Sequence, residues 1–391
     1  MSQPNQQTTT CVVTNIINKI LPFIAEFKVI KLNTTTFKYN KPFRLEAGAI
    51  LPELDLAYQA LGTINSDCSN VVWICHAFTG SQDAEDWWQG LIGRGKLFDP
   101  DKHFIICVNV LGSHYGSTGP LSINPESGEP YYHNFPLITI RDIVNSFDIL
   151  REYLGIHQIN TCIGGSLGGQ QCVEWAISQP DLIENLILIA TNAQHSPWGI
   201  AFNESQRMSI EVDPTWVESN PQAGLRGMSA ARATALISYR NYETYNVTQA
   251  RKDEPLGKSH RAVTYQRYQG EKLAQRFNAF SYYVLSQVMD SQDVGRGRGG
   301  SVQALSQIKS RTLVMGIKSD ALFPINEQAF LAKHISDSTF QSLDSLYGHD
   351  GFLIESQLIT KAIKLWQKFV RFDVNPMYDF FKGLERKEEL V

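Results

Sequence analysis

A turn built around Gly164, Ser166 and Gly168 constrains the fold of this chain more than any other feature of its sequence. An apolar, strand-like run at 161–163 precedes the turn, and a stretch with helical periodicity at 170–177 follows it. Where a strand turns sharply into a helix, there is no room for side chains two residues before and after the apex, so both positions need glycine. The pattern therefore predicts a nucleophile elbow that exposes a serine hydroxyl at the end of a strand.

Alternating strand and helix patterns surround this turn. Short apolar runs bounded by turn residues recur along the chain, and 141–154 places apolar side chains on one helical face. Such alternation predicts a mostly parallel sheet with helices on both faces. The predicted strands are 71–75, 104–110, 161–163, 185–190, 312–317 and 339–343.

The alternation stops in one long segment, 192–310, which is polar and helix-like. An insertion of this size between two strands predicts a helical lid above the carboxyl ends of the strands, where open α/β sheets bind ligands. We therefore expect an α/β-hydrolase core at 26–191 and 311–385 that carries this lid. The remaining segments are predicted to be a loosely ordered leader at 1–25 and a charged tail at 386–391.

Composition narrows the classes of function. Hydrophobic residues make up 43% of the chain and charged residues 19%, as in globular enzymes, and a net charge of −4 gives no reason to expect nucleic-acid binding. The amino-terminal stretch has neither a signal-peptide pattern nor the roughly 18 uninterrupted apolar residues of a membrane span. The six cysteines form no Cys-x-x-Cys pair, so we expect free thiols, a cytoplasmic location and no metal site.

A serine nucleophile needs a histidine base and an acid that orients it, and in this fold both follow the serine, the acid first. Asp320 and His349 each come shortly after a predicted strand, so both should reach the same sheet edge as Ser166. Asp344 and Asp350 are alternatives for the acid, and eight other histidines compete for the base on number alone.

An oxyanion hole requires two backbone N–H groups, one from the residue after the serine and one from an earlier loop. Leu167 follows Ser166, and Phe78 lies in the loop 76–80 directly after the predicted strand 71–75. These two residues are therefore the predicted donors.

Several separated strings make the chain similar to the homoserine O-acetyltransferase family, from about Leu45 to about Lys368. In the first half they are Ala57-Tyr-Gln-Ala-Leu-Gly62, His76-Ala-Phe-Thr-Gly80, Asn109-Val-Leu-Gly112, Gly116-Ser-Thr-Gly-Pro120 and Gly164-Gly-Ser-Leu-Gly-Gly169. In the second half they are Tyr268-Gln-Gly270, Arg276-Phe277, Met289-Asp290, Asp293-Val-Gly-Arg-Gly297, Ser319-Asp320, Phe323-Pro324 and Gly348-His-Asp350. A general esterase has no reason to match the strings in the predicted lid, so the resemblance favours acyl transfer over hydrolysis.

The resemblance implies a ping-pong reaction in methionine biosynthesis. Acetyl-CoA, a co-substrate rather than a bound cofactor, would acylate Ser166, with Asp320 as the acid and His349 as the base. The hydroxyl of L-homoserine would then take the acetyl group. Succinyl-CoA as donor, L-serine as acceptor and an esterase of the same fold remain open.

The resemblance also implies how the acceptor is held. Arg232 would bind its carboxylate, Asp350 its ammonium group, and Thr79 would line the same pocket. The chain departs from the commoner family pattern at three positions, which leaves the fine choice of substrate open: Phe78 in place of leucine, His114 near a usual cysteine and Asn278 in place of aspartate.

Family members commonly pair through their lids, so we expect a homodimer. The side chains predicted for this interface are Phe280, Tyr282, Tyr283 and Leu285, with packing inside the lid as the alternative.

Overall fold

The computed structural model describes residues 34–250 and 260–369. The strands are β1 Thr35–Tyr39, β2 Phe43–Arg44, β3 Ile50–Leu51, β4 Leu54–Leu61, β5 Val71–Cys75, β6 Phe104–Val108, β7 Ile159–Gly165, β8 Ile183–Ile189, β9 Arg311–Ile317 and β10 Ser338–Leu343. Eight of them form one sheet in the order β1-β4-β6-β5-β7-β8-β9-β10, while β2 and β3 pair separately. The pairs from β6 to β10 are all parallel, which confirms the predicted sheet.

The antiparallel edge of the sheet, where β4 pairs with both β1 and β6, was not among the predicted strands. In β1 only Phe37 is buried, so the strand offers no apolar run to recognise. Strand β7 is longer than the predicted 161–163, because Gly164 and Gly165 continue the pairing with β8 before the chain turns. The predicted leader at 1–25 and tail at 386–391 lie outside the described residues.

In chain order the described helices are α1 Ala84–Trp87, α2 Ile140–Tyr153, α3 Leu167–Ser178, α4 Pro197–Glu211, α5 Leu225–Tyr239, α6 Tyr242–Thr248, α7 Arg261–Ala274, α8 Ala279–Asp290, α9 Ser301–Leu305, α10 Ile325–His334, α11 Gly351–Ile354 and α12 Ser356–Phe369. Short 3₁₀ segments lie at Tyr132–Asn134 and Gly348–Asp350. None of these helices is long and apolar enough to cross a membrane.

Both faces of the sheet are covered, as strand β5 shows. The Trp73 ring packs against Phe147 of α2 and Trp175 of α3, with ring centres 5.8 and 4.8 Å apart. The next residue, Ile74, points to the opposite face and joins a second apolar cluster that includes Trp366 of α12. Successive side chains of a strand point to opposite faces, so a strand buried on both sides reads as one continuous apolar run.

Helices α4 to α9 lie between β8 and β9, within the predicted lid segment 192–310. Gly227 allows a close crossing of two of them, since a Cβ there would lie 2.5 Å from the backbone oxygen of Ser209 on α4. The boundaries of the lid stay a prediction.

The interface prediction is wrong for most of the side chains chosen on helix α8. Phe280, Tyr282 and Leu285 are buried within the protomer, and Tyr283 is partly buried. The Tyr282 ring, for example, packs against Phe78 with ring centres 4.6 Å apart. Helix α8 is an internal element with apolar side chains on several faces, so its aromatic content does not mark an outer surface.

Candidate active site

Ser166 stands at the sharp turn between β7 and α3. Its backbone has φ 57° and ψ −127°, a left-handed conformation that is strained for a residue with a side chain. A Cβ on Gly168 would lie 2.1 Å from the backbone oxygen of Cys75, and one on Gly164 would lie 2.4 Å from the backbone of Gly168. The two glycines therefore allow the turn to form, and the turn holds Ser166 in its strained position.

The structure brings Ser166, His349 and Asp320 into one hydrogen-bonded chain. His349 Nε2 lies 2.8 Å from Ser166 Oγ, and His349 Nδ1 lies 2.7 Å from Asp320 Oδ2. The other carboxylate oxygen of Asp320 accepts the backbone N–H groups of Leu322 and Phe323, each at 2.9 Å. Both ends of the carboxylate are thus fixed, and Asp320 holds the histidine ring in one orientation.

Charge around His349 favours its protonated form. Burial alone would lower the pKa of His349, but the charge and hydrogen bond of Asp320, followed by the charges of Asp350 and Glu327, raise it above its usual value. A histidine with these neighbours can take a proton from serine and keep it until a leaving group needs it.

The two alternatives for the acid are placed elsewhere. Asp344 is exposed and pairs with Lys318 at 3.3 Å. Asp350 pairs with Arg240 at 2.8 Å, and its side chain makes no capping hydrogen bond to the helix that it precedes.

The predicted oxyanion donors lie on two different elements. Leu167 is the first residue of α3, and Phe78 lies in the loop after β5. Within this loop the buried His76 accepts the N–H of Val110 at its Nε2 (3.0 Å), so its Nδ1 carries the hydrogen and donates to Ala77 O (2.9 Å). Burial lowers the pKa of His76 to about 4, which keeps the ring neutral and this tautomer in place.

The predicted acceptor residues lie beside the catalytic histidine. Arg232, on α5, has its guanidinium 5.2 Å from the ring centre of Tyr239, and that ring lies 5.8 Å from the His349 ring. The charges of Arg232 and Asp350 both act on the Tyr239 hydroxyl, whose pKa burial raises to about 12. Tyr239 thus lies between the His349 ring and the charges of Arg232 and Asp350.

Both oxygens of Thr79 accept hydrogen bonds from Arg276, a residue of the predicted lid. Arg276 donates to its backbone oxygen at 2.8 Å and to its Oγ1 at 3.2 Å. A part for Thr79 in lining the acceptor pocket stays a prediction.

Comparison with known proteins agrees with this geometry. A family model described as alpha/beta hydrolase fold matches residues 70–356. A homoserine O-acetyltransferase of Cyclobacterium marinum is 48% identical over 335 residues, which cover 86% of this chain and 95% of that protein. The chain belongs to the homoserine O-acetyltransferase family.

Solved structures related to this member of the homoserine O-acetyltransferase family include both transferases and hydrolases. A homoserine O-acetyltransferase from Staphylococcus aureus matches with a TM-score of 0.71 at 28% identity, over 89% of this chain and all of that one. An acetylester hydrolase from Corynebacterium glutamicum matches with a TM-score of 0.75 at 26% identity, over 84% and 93% of the two chains. The fold is therefore common to both activities, and side chains around the triad must separate them.

Sequence reasoning gave no role to three residues around the site of this homoserine O-acetyltransferase family member: Tyr239, Arg240 and Arg276, of which only Arg276 was part of a family string. Tyr239 follows Arg232 by seven residues on one helix, a spacing that places both on the same face and could have revealed it. Arg240 and Arg276 contact residues 110 and 197 positions away, and no local pattern encodes such pairings.

A cluster of three buried thiols lies under the elbow. The sulfur atoms of Cys75, Cys162 and Cys172 lie within 4.8 Å of one another, the one set of potential metal ligands of this kind in the described parts of the chain. Cys162 Sγ and Cys172 Sγ are 3.5 Å apart. Burial raises the pKa of the Cys75 and Cys172 thiols, so both stay protonated and pack as small apolar groups.

Proposed function

We propose that this protein transfers an acetyl group from acetyl-CoA to the hydroxyl of L-homoserine through an acetyl-serine intermediate. The observation that carries the proposal is the hydrogen-bonded chain Ser166–His349–Asp320 in a member of the homoserine O-acetyltransferase family. No permanently bound cofactor is needed, since acetyl-CoA supplies the activated acyl group.

In the first half-reaction His349 takes the proton of Ser166 as Oγ attacks the thioester carbonyl. The N–H groups of Phe78 and Leu167 stabilise the oxyanion. The carbon–sulfur bond then breaks, and the sulfur of coenzyme A leaves with the proton from His349.

In the second half-reaction the acceptor hydroxyl loses its proton to His349 and attacks the acetyl-serine carbonyl. Collapse of the second oxyanion releases the O-acetyl ester and returns the proton to Ser166. Arg232 binds the acceptor carboxylate and Asp350 its ammonium group, each by a charge-assisted contact. Because Arg240 already pairs with Asp350, the ammonium group shares this carboxylate instead of occupying it alone.

Hydrolysis is the competing function, and the fold match to an acetylester hydrolase supports it. Transfer is favoured because the relatives that are 40–48% identical are named homoserine O-acetyltransferases. Arg232 and Asp350 also act on Tyr239, whose ring contacts His349, and they carry the two charges needed to bind an amino-acid acceptor. Succinyl-CoA as donor and L-serine as acceptor are the alternatives within the transferase class.

The test is release of free coenzyme A from acetyl-CoA or succinyl-CoA with homoserine, serine or water as acceptor. We expect fast turnover with acetyl-CoA and homoserine, and a single burst without acceptor that is abolished in Ser166→Ala. A water rate equal to the homoserine rate would make the protein a hydrolase, and a normal burst in Ser166→Ala would remove the serine from its role.

The assembly belongs to the same proposal. Since most of α8 is buried, a two-fold contact through the lid would use the outer apolar side chains of Met208 on α4 and of Val212 and Val217 beyond its end, all strongly exposed. We propose that the homodimer is cytoplasmic and that its reaction belongs to methionine biosynthesis, because the relatives are biosynthetic enzymes.

A further inference from the structure

The two proposed oxyanion donors differ in how firmly hydrogen bonds fix their backbone. Leu167 belongs to helix α3, whose hydrogen bonds fix its backbone from the first turn onward. Phe78 belongs to the loop 76–80, where only a turn hydrogen bond from Gly80 N–H to Ala77 O (2.8 Å) closes the backbone on itself. Ala77 O, which lies in the same peptide group as Phe78 N–H, also accepts from His76 Nδ1 at 2.9 Å, so the loop depends on outside contacts mainly on the far side of Phe78, at Thr79.

The core holds the first half of the loop. His76 joins it to Val110 beyond β6 through the hydrogen bonds described above, and the amide of Gln171 on α3 donates to His76 O at 3.2 Å. Because His76 Nδ1 also donates to Ala77 O, these contacts orient the peptide group that carries Phe78 N–H from its amino-terminal side, and they do not reach Thr79 on its other side.

The lid holds the second half of the loop. The Arg276 guanidinium, between α7 and α8, donates to Thr79 O at 2.8 Å, to Thr79 Oγ1 at 3.2 Å and to the Tyr115 hydroxyl at 2.6 Å. The Tyr115 hydroxyl in turn donates to the backbone oxygen of Arg276 at 3.1 Å. One planar group thus joins the oxyanion loop to the lid and to the loop after β6, and its fork geometry suits such a bridge.

We propose that Arg276 is a positioning residue for the oxyanion hole: by holding Thr79 from the lid, it completes the fixing of the adjacent Phe78 N–H, whose peptide group His76 holds from the other side. This inference rests on the proposed acyl-transfer function. It also couples catalysis to the seating of the lid, because Phe78 packs its ring on Tyr282 of α8 at the same junction.

The energetic argument separates catalysis from stability. Arg276 is exposed, and hydrogen bonds made by an exposed charged group contribute little to folding. A displacement of about 1 Å in a catalytic group, however, can reduce the rate by about 10²-fold. Loss of an oxyanion donor costs about 10²- to 10³-fold, which sets the upper limit for loosening one.

A different role for Arg276 would be recognition of a phosphate of coenzyme A, since it is an exposed cation near the oxyanion loop. The two roles predict different substrate dependence. A phosphate contact is used only when the donor is a coenzyme A thioester, whereas the oxyanion hole is used with every acyl donor and in both half-reactions.

The experiment compares the acylation burst of wild type, Arg276→Gln and Arg276→Lys with acetyl-CoA and with p-nitrophenyl acetate, which lacks the nucleotide. We expect Arg276→Gln to slow both bursts by a similar factor, about 5- to 50-fold. Arg276→Lys should recover part of the loss, because an ammonium group reaches Thr79 O but cannot bridge to Tyr115. Arg267→Gln, which removes an exposed arginine from α7, is the matched control and should react as wild type does.

Tyr115→Phe keeps the inference testable if Arg276→Gln folds poorly, because it removes one partner of the guanidinium and should slow both bursts by a smaller factor. Equal bursts in wild type and Arg276→Gln would overturn the inference, as would a loss confined to acetyl-CoA. Neither result touches the proposed function, which fails instead if Ser166→Ala keeps a normal burst.

Discussion

Replacing Asp320 with asparagine should stop His349 from acting as a base while the fold is kept. Asp320 Oδ1 accepts two backbone N–H groups, so the amide oxygen of asparagine must take that position. The amide nitrogen then faces His349 Nδ1 and donates to it. The imidazole hydrogen moves to Nε2, which now donates to Ser166 Oγ and can no longer accept its proton.

The alternative orientation of the asparagine is costly. It would turn the amide nitrogen toward the N–H groups of Leu322 and Phe323 and leave two buried donors unpaired, at about 1–3 kcal/mol each. The wrong tautomer should therefore dominate, and the acylation rate constant should fall by up to about 10⁴-fold. The measurement is the pre-steady-state burst of thiol release from acetyl-CoA.

Two comparisons make this prediction sharp. Asp344→Asn, at an exposed carboxylate near the end of the neighbouring strand, should leave the burst unchanged. Asp320→Ala should lose both activity and stability, since it removes the acceptor of two buried N–H groups, whereas Asp320→Asn should melt close to wild type. An Asp320→Asn burst within about tenfold of wild type would refute the tautomer argument.

Three further outcomes are expected. Arg232→Gln should leave the acylation burst intact and weaken homoserine-dependent turnover by about 10- to 150-fold, the equivalent of a charge-assisted contact of about 1.5–3 kcal/mol; loss of the burst as well would mean that the arginine holds the site together. Asp350→Asn removes a charge that raises the pKa of His349, so the neutral base persists to lower pH. The acidic limb of the pH profile of kcat/KM for acetyl-CoA should therefore shift to lower pH, and a limb that stays in place or shifts to higher pH would contradict this. Val212→Glu should lower the mass measured by light scattering from dimer to monomer, and a monomeric wild type would remove the predicted assembly.

Much of the fold could be predicted because its central strands are buried on both sides. Val71–Cys75 was predicted with its observed ends, since every side chain in it is apolar and buried. Helix α2 was placed within one residue at each end, and its start carries a capping box between Thr139 and Asp142. Strand β1 escaped prediction because it lies at the edge of the sheet and contributes one buried side chain, Phe37.

The candidate site also contains residues that could be predicted from the sequence and residues that could not. A turn motif and a fixed order of residues were enough to choose Ser166, Asp320 and His349, because the fold itself carries their ends to one edge of the sheet. The pairings made by Arg240 and Arg276 join segments distant in sequence, so they depend on how the lid helices pack and are visible only in three dimensions.

The three buried thiols beneath the nucleophile elbow can be used to measure how often this part of the core opens. Cys75 ends β5, Cys162 lies in β7 and Cys172 in α3, so none of them can meet an alkylating reagent unless strand and helix separate. When closing is faster than alkylation, the labelling rate of these cysteines measures the free energy of that local opening. Labelling rates in variants of the surrounding residues would then show how much each residue's packing contributes to holding Ser166 in its strained conformation, without an activity assay.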